Sequence, residues 1–252
     1  MTAATPRSSP TMIASTSSQL SPVRMIALTR FQVAGYVRAQ RALYPMVVVA
    51  CFVILMLVQS PGQEHGAELT IVTFADIAAF MVPVWAWTAR SLLDTTPDVQ
   101  GDLSALAVGG RTTAAVAGVI AAYGVNFALA VVMLAIPLMQ GLSFHVGTTA
   151  LLAGVALQPL VAVPATMLGA WTSRSVIRSP ALSVLALIGG SVLILMLSMG
   201  PLSWLSLPMI EWLRAAHRGE AAFTADFPGA ALHIALWSSA AAAAYLWIRR
   251  RR

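Results

Sequence analysis

At 252 residues, 58% apolar and 10% charged, the chain is too hydrophobic for an ordinary soluble domain, and its apolar runs leave no loop long enough to hold a soluble catalytic one. The net charge of +6 is carried by arginine alone, and the absence of lysine excludes a Walker A lysine and Schiff-base chemistry on this chain. Cys51, the only cysteine, lies inside an apolar run, which excludes a disulfide framework and a thiolate metal site.

Residues 1–20 are rich in Ser, Thr, Ala and Pro, carry one arginine and lack an apolar core of signal-peptide length, so a disordered tail is expected. Ser21-Pro22 then reads as an N-cap with proline at the first helical position. The segment 21–42 is expected to be an amphipathic helix, with Met25, Ile26, Val33, Tyr36 and Val37 on one side. Arg24, Arg30, Arg38 and Arg41 spread over the other, while Leu28 and Phe31 spoil a clean division. Such a helix suits the membrane interface.

Six apolar stretches follow within 43–252: Leu43–Gln59, Thr70–Trp87, Ala114–Met139, Thr149–Trp171, Ala181–Met199 and Ala230–Ile248. A hydrocarbon core of about 30 Å takes about 20 helical residues. The predicted fold is therefore an all-α integral membrane protein with six transmembrane helices. The arginines set its orientation. Threading the spans leaves only Arg214 and Arg218 on one side and all the others opposite. Short-loop arginines stay in the cytoplasm, so both termini are expected inside, and the positive charge reads as membrane anchoring rather than nucleic-acid binding.

Between the second and third spans, Asp94, Pro97, Asp98, Gly101 and Asp102 precede the apolar run Leu103–Val108 and then Gly109-Gly110-Arg111. This pattern predicts a short cytoplasmic helix at about 98–110, capped by Asp98 or Asp102 and stopped by the glycines. Two or three turns are poorly stable alone, so the helix should dock on something. The external segment 200–229 is semi-apolar. Its Trp204, Leu205, Leu207, Met209, Ile210, Trp212 and Leu213 predict an interfacial or re-entrant helix, with Trp204 and Trp212 at headgroup depth. Pro83, Pro137, Pro159 and Pro164 interrupt spans, and Gly189-Gly190 would permit close helix packing.

Polar residues within spans are costly and mark either a pathway or interhelical hydrogen bonds. Asp76 is the one acid clearly inside a span, and His233 and Asn126 fall at a similar depth. These three are candidates to converge near the outer end of a pathway, and Gln158 is a further lining candidate. Catalytic signatures are missing: there is no Gly-x-Ser-x-Gly elbow, no His-Glu-x-x-His zinc helix and no paired glutamates on one span. Asp94, Asp98 and Asp102 are spaced at four, but Thr95, Thr96 and Pro97 interrupt the metal-binding helix this spacing would need. No enzyme is expected, and no cofactor or metal on this chain.

The order of these parts resembles the permease subunits of type-2 ABC exporters. Those chains have an amphipathic connecting helix (here Pro22–Arg41), six spans with both ends inside, a coupling helix after the second span (here within Asp98–Gly110), and a partly re-entrant external segment before the last span (here Gly200–Gly229). Asp98, Asp102, Leu103, Leu106 and Arg111 echo the coupling segment, with Gly109 where proline is frequent. The resemblance implies a bacterial plasma-membrane protein working with two copies of a separate ABC ATPase, which holds ATP and Mg. It further implies a second permease chain, identical or different, and a hydrophobic or amphiphilic substrate such as an antibiotic, peptide, lipid-like molecule or drug. The competing class is a proton-coupled carrier or channel using Asp76 and His233. A third is a membrane anchor or assembly protein without transport.

Overall fold

A computed structural model describes residues 22–58 and 65–251 of the chain. The expected disordered tail, the Ser21 cap and most of the loop after the first apolar stretch lie outside the described residues. Among the described residues the structure is helical throughout, with no strand. The elements are α1 (Pro22–Arg38), α2 (Leu43–Val58), α3 (Gly66–Leu93), α4 (Asp98–Val108), α5 (Arg111–Ser143), α6 (Thr148–Trp171), α7 (Pro180–Met199), a 3-10 turn (Ser203–Leu205), α8 (Met209–His217) and α9 (Glu220–Arg251).

Five helices, α3, α5, α6, α7 and α9, are each long and apolar enough to cross a bilayer, and α1 with α2 makes a sixth if that bent pair counts as one unit. The pair bends by 74° at the four residues between α1 and α2, where Gln40 takes a positive φ of 56°. The described part of α2, 16 residues or about 24 Å, falls short of the hydrocarbon thickness by itself. The α1 helix ends at Arg38, so Arg41 belongs to the turn rather than to the helix. Its bundle-facing side is built on Leu28 and Tyr36, both buried, whereas Ile26 and Val37 are exposed. Leu28, which blurs the division in the sequence, is thus the anchor. It packs with Val108 of α4 and Ala117 of α5.

The α3 and α6 helices are the centre of the bundle, and small residues let their backbones approach. A Cβ on Gly169 would run into the backbone carbonyl of Ala86, and one on Gly154 into the Phe74 ring. The Gly189-Gly190 pair does not fill this role: Gly189 faces open space, and Gly190 meets only the end of the Leu168 side chain. Pro83, Pro137, Pro159 and Pro164 all sit inside helices that continue past them.

The segment 200–229 divides differently from expectation. Gly219, at a positive φ of 100°, ends the short α8, and the last helix begins at once at Glu220. That helix absorbs ten residues expected to lie outside it. Trp212, expected at headgroup depth, is buried, because the Met209, Trp212, Ala215 and Ala216 face of α8 packs on the bundle. Trp204 is exposed.

Candidate functional site

One end of the bundle gathers the C-termini of α3, α6 and α9 with the N-termini of α5 and α7, and α1 and α4 lie across it. Ala115, Ala170 and Tyr245 pack together there, with Leu93 against them. The Trp171 indole N–H donates to the Ala241 carbonyl at 3.1 Å. Every described arginine except Arg214 and Arg218 belongs to this end. The uneven division of charge is therefore a property of the folded chain as well as of its sequence.

On this end, α4 begins after Pro97 and stops at Gly109, whose φ of 93° no ordinary side chain favours. Gly110 N–H closes the turn on Ala105 O at 2.7 Å. The glycine stop is as the sequence predicts, but the N-cap is not: Pro97 holds that position and Asp98 is the first helical residue. Asp102 lies inside the helix, where its carboxylate accepts from the Arg111 guanidinium at 3.3 Å in an exposed ion pair. Ala105 and Val108 are buried beneath α4, whereas Val99, Leu103 and Leu106 are 75%, 62% and 80% exposed. Spacing of four and three residues puts those three on one stripe of the helix. The stripe points away from the bundle. Arg24 reaches back to this helix, donating to Ala107 O at 3.5 Å. Arg30 and Arg38 are exposed on α1.

A neighbouring polar cluster joins elements that the sequence leaves apart. Arg41 of the α1–α2 turn donates to the backbone carbonyls of Ser91 and Asp94 at 3.4 and 3.2 Å. The Asp94 carboxylate accepts from the Arg174 backbone N–H at 2.8 Å and lies 3.7 Å from Arg90 Nε. That Nε donates to Ser183 Oγ of α7 at 2.5 Å, and the Ser183 hydroxyl donates in turn to Thr172 O. The ends of α3, α6 and α7 are thereby linked to the turn before α2. Burial raises the Asp94 carboxyl above the usual aspartate value, outweighing the Arg174 N–H and the guanidinium charges of Arg90, Arg174 and Arg41. Sequence reasoning used Asp94 only as one of the acids before α4 and as part of a rejected metal series. The signal it passed over is the four-residue spacing of Arg90 and Asp94 at a helix end.

The intramembrane candidates separate. Asn126 is fully buried and uses Nδ2 to donate to Trp85 O at 3.0 Å and to Thr166 Oγ1 at 2.9 Å, which joins α5 to α3 and α6. Gln158 is also fully buried and donates from Nε2 to Phe74 O at 2.7 Å. Both are interhelical struts, each worth about 1 kcal/mol net. Asp76 is half-buried on α3, on the side covered by α8 and near His217 at the end of that helix. His233 lies on α9 in a separate groove, with its Nε2 buried and without a partner. No hydrogen bond or ion pair joins Asp76, Asn126 and His233 to one another. His217 was not singled out from the sequence, because nothing in a linear reading brings α8 back onto α3. Among the described residues no cluster of His, Cys, Asp or Glu is arranged to hold a metal ion.

No family model, no curated protein and no solved structure matches this chain.

Proposed function

We propose that this chain is the membrane-embedded permease subunit of an ATP-driven exporter of the type-2 ABC kind. The observation that carries the reading is the exposed apolar stripe of α4, held on a platform of α1 and α5 at the arginine-rich end. By the positive-inside tendency that end faces the cytoplasm of a bacterial plasma membrane, and with it both termini. An apolar stripe on a short helix in water is stable only when covered. Burying three such side chains offers about 4–8 kcal/mol, a useful share of a protein contact. The covering partner in this reading is a separate ATPase with its own ATP and Mg.

Two permease chains would then enclose a path for a hydrophobic or amphiphilic molecule, with two ATPases beneath them. Closure of the ATPases pushes on α4. The α1–α4–α5 contact and the Asp94 cluster pass that push to α3, α6 and α7, which tilt as rigid bodies. The buried struts of Asn126 and Gln158 suit this role, because they keep α3, α5 and α6 moving as one block.

Purification of the tagged chain from its native membranes tests the proposal. A stoichiometric ATPase carrying a phosphate-binding loop is the expected companion. Full transport by the chain alone in sealed vesicles, driven by a proton gradient and lost in Asp76→Asn, would replace this reading with that of a proton-coupled carrier.

A further inference from the structure

The last turn of α9 carries charge at a defined depth. From Phe227 to Ile248 the helix has no Asp, Glu, Lys or Arg, a length of about 33 Å against a hydrocarbon core of about 30 Å. Asp226, paired with Arg218, marks one edge of that stretch, and Arg249, Arg250 and Arg251 mark the other. The final turn therefore stands at the level of the lipid headgroups on the arginine-rich side. Trp247, 53% exposed, sits just before it, at the depth where an indole suits the interface.

The three arginines differ in what they face. Arg249 follows the buried Tyr245 by one turn and has its own Nε buried, whereas Arg250 and Arg251 are exposed. The Arg251 guanidinium folds back over the Trp247 ring, 3.7 Å from its centroid. Helix geometry favours this, because side chains lean towards the N-terminus and residues four apart meet. The stack keeps the cation beside the indole, at the hydrocarbon edge, instead of letting it reach out into water. It engages the flat face of the guanidinium, whose N–H donors lie in the plane and stay open to an acceptor. Among the described residues no carboxylate pairs with Arg250 or Arg251, and the chain has no Asp or Glu after Asp226. Two cations, one set on an aromatic platform, thus stand at headgroup depth with no acid of the chain to answer them.

We propose that the last turn of α9 binds the phosphate of an anionic phospholipid, phosphatidylglycerol being the simplest case, in the leaflet at the arginine-rich end. Arg251, steadied by Trp247, offers its fork of N–H donors to the phosphate oxygens, and Arg250 adds a second positive charge beside it. The acyl chains follow the exposed Ala240, Ala243 and Ala244, which lie on the side of the helix that carries Trp247 and Arg251. A choline or ethanolamine head brings its own cation, for which this turn holds no carboxylate, so a net-negative head is selected. The site is more than the general pull of arginines on a charged leaflet, because it places one lipid at one turn. It rests on α9 crossing the membrane and not on the exporter reading, so either can fail without the other.

The test uses the full-length protein in phosphatidylcholine nanodiscs and a phosphatidylglycerol probe bearing a photoreactive diazirine close to its headgroup. Labelled peptides are mapped as the mole fraction of the probe rises. The expected result is saturable labelling between Ala244 and Ile248 that unlabelled phosphatidylglycerol competes away and further phosphatidylcholine does not. Arg250→Gln with Arg251→Gln should raise the half-saturating mole fraction about thirtyfold, or about fivefold for each charge removed. Both side chains are exposed, so this variant should melt like wild type. Trp247→Leu keeps every charge but takes away the platform, and should weaken labelling about threefold. Arg30→Gln with Arg38→Gln removes the same charge from α1 and should stay within about twofold of wild type, as a separate site does. An equal loss in that α1 pair would reduce the effect to the field of the whole arginine-rich end and overturn the site. Competition by phosphatidylcholine as strong as that by phosphatidylglycerol would overturn the choice of an anionic head. Labelling that never saturates, or wild-type saturation in the C-terminal glutamine pair, would overturn the proposal outright. Absence of lipid labelling, with this turn cross-linked instead to a companion protein in native membranes, would overturn the choice of occupant.

Discussion

The Trp212 indole of α8 donates to the backbone carbonyl of Ala75 on α3 at 3.3 Å, one residue before Asp76. This bond and the burial of Trp212 pin the short helix against the N-terminal half of α3, away from the arginine-rich end, and the same packing brings His217 within electrostatic reach of Asp76. Trp212→Phe keeps most of the buried surface and loses the bond, so it should cost about 1 kcal/mol. Trp212→Ala also leaves a cavity and should cost about 3–5 kcal/mol. Thermal unfolding of the detergent-solubilised chain reads both, and a Trp212→Phe variant as stable as wild type would mean that the bond contributes nothing beside the packing.

The crossing of α3 and α6 rests on Gly169. A methyl group there meets the Ala86 carbonyl, the Ala89 side chain and the Arg90 nitrogen, and two of these are backbone that cannot rotate away. Gly169→Ala should therefore destabilise by about 1–3 kcal/mol, as overpacking does. Gly189→Ala adds its methyl to open space and removes a glycine from a helix interior, so it should be neutral or stabilising by about 0.5–1 kcal/mol. Paired melting curves of the two variants check the contrast.

These two glycines also show how far the sequence could be read. Length and hydropathy locate spans because the bilayer imposes a thickness, and the glycines after α4 stop a helix through their own backbone freedom. Which glycine meets another helix depends on rotation about the helix axis, and a helix apolar on every side does not disclose that. The same blindness explains Trp212 and Leu28. Each is an aromatic or aliphatic residue in an apolar segment, and only the neighbouring helix decides whether it is buried. Asn126 and Gln158 were legible as costly intramembrane groups, yet each donates to a backbone carbonyl of α3, which carries no sequence signal at all, and only Asn126 adds a side-chain partner, the Thr166 hydroxyl. His233 faces the groove between α7 and α9 while Asp76 lies on the side of α3 that α8 covers, a difference of helix face that residue depth alone does not disclose.

Asp94 gives a pH dependence whose sign is fixed by its surroundings. Burial lifts its folded-state pKa above the usual 3.8, so across the interval between the two values the folded chain holds more proton than the unfolded chain. Stability from this group is therefore fully present below the unfolded value and is lost as pH rises through the folded one. The 3.7 Å separation from Arg90 Nε, which already serves Ser183, is too long to reverse that order. Asp94→Asn cannot ionise. The difference in melting temperature, wild type minus variant, should grow in favour of wild type as pH falls from neutrality towards 3.8, with other titrating groups cancelling in the subtraction. A difference that grows with rising pH would mean that the guanidinium groups dominate instead.

The exposed stripe of α4 separates binding from folding cleanly. Leu103 and Leu106 are 62% and 80% exposed, so Leu103→Ser with Leu106→Ser removes little buried surface and should change stability by no more than about 0.5 kcal/mol. Ala105→Glu, on the buried side of the same helix, should instead break the contact with α1 and α5, since a long charged side chain replaces a buried methyl group there. If α4 is the surface gripped by a motor subunit, the serine pair should abolish co-purification of that subunit and transport together, while melting and detergent-phase elution stay those of wild type. Losing two buried leucines from such a contact, at about 1.5–3 kcal/mol each, would weaken it by about two to four orders of magnitude. Retention of the partner at wild-type stoichiometry in the serine variant would place the contact elsewhere on the arginine-rich end, with the exposed Arg30 and Arg38 of α1 as the next residues to change.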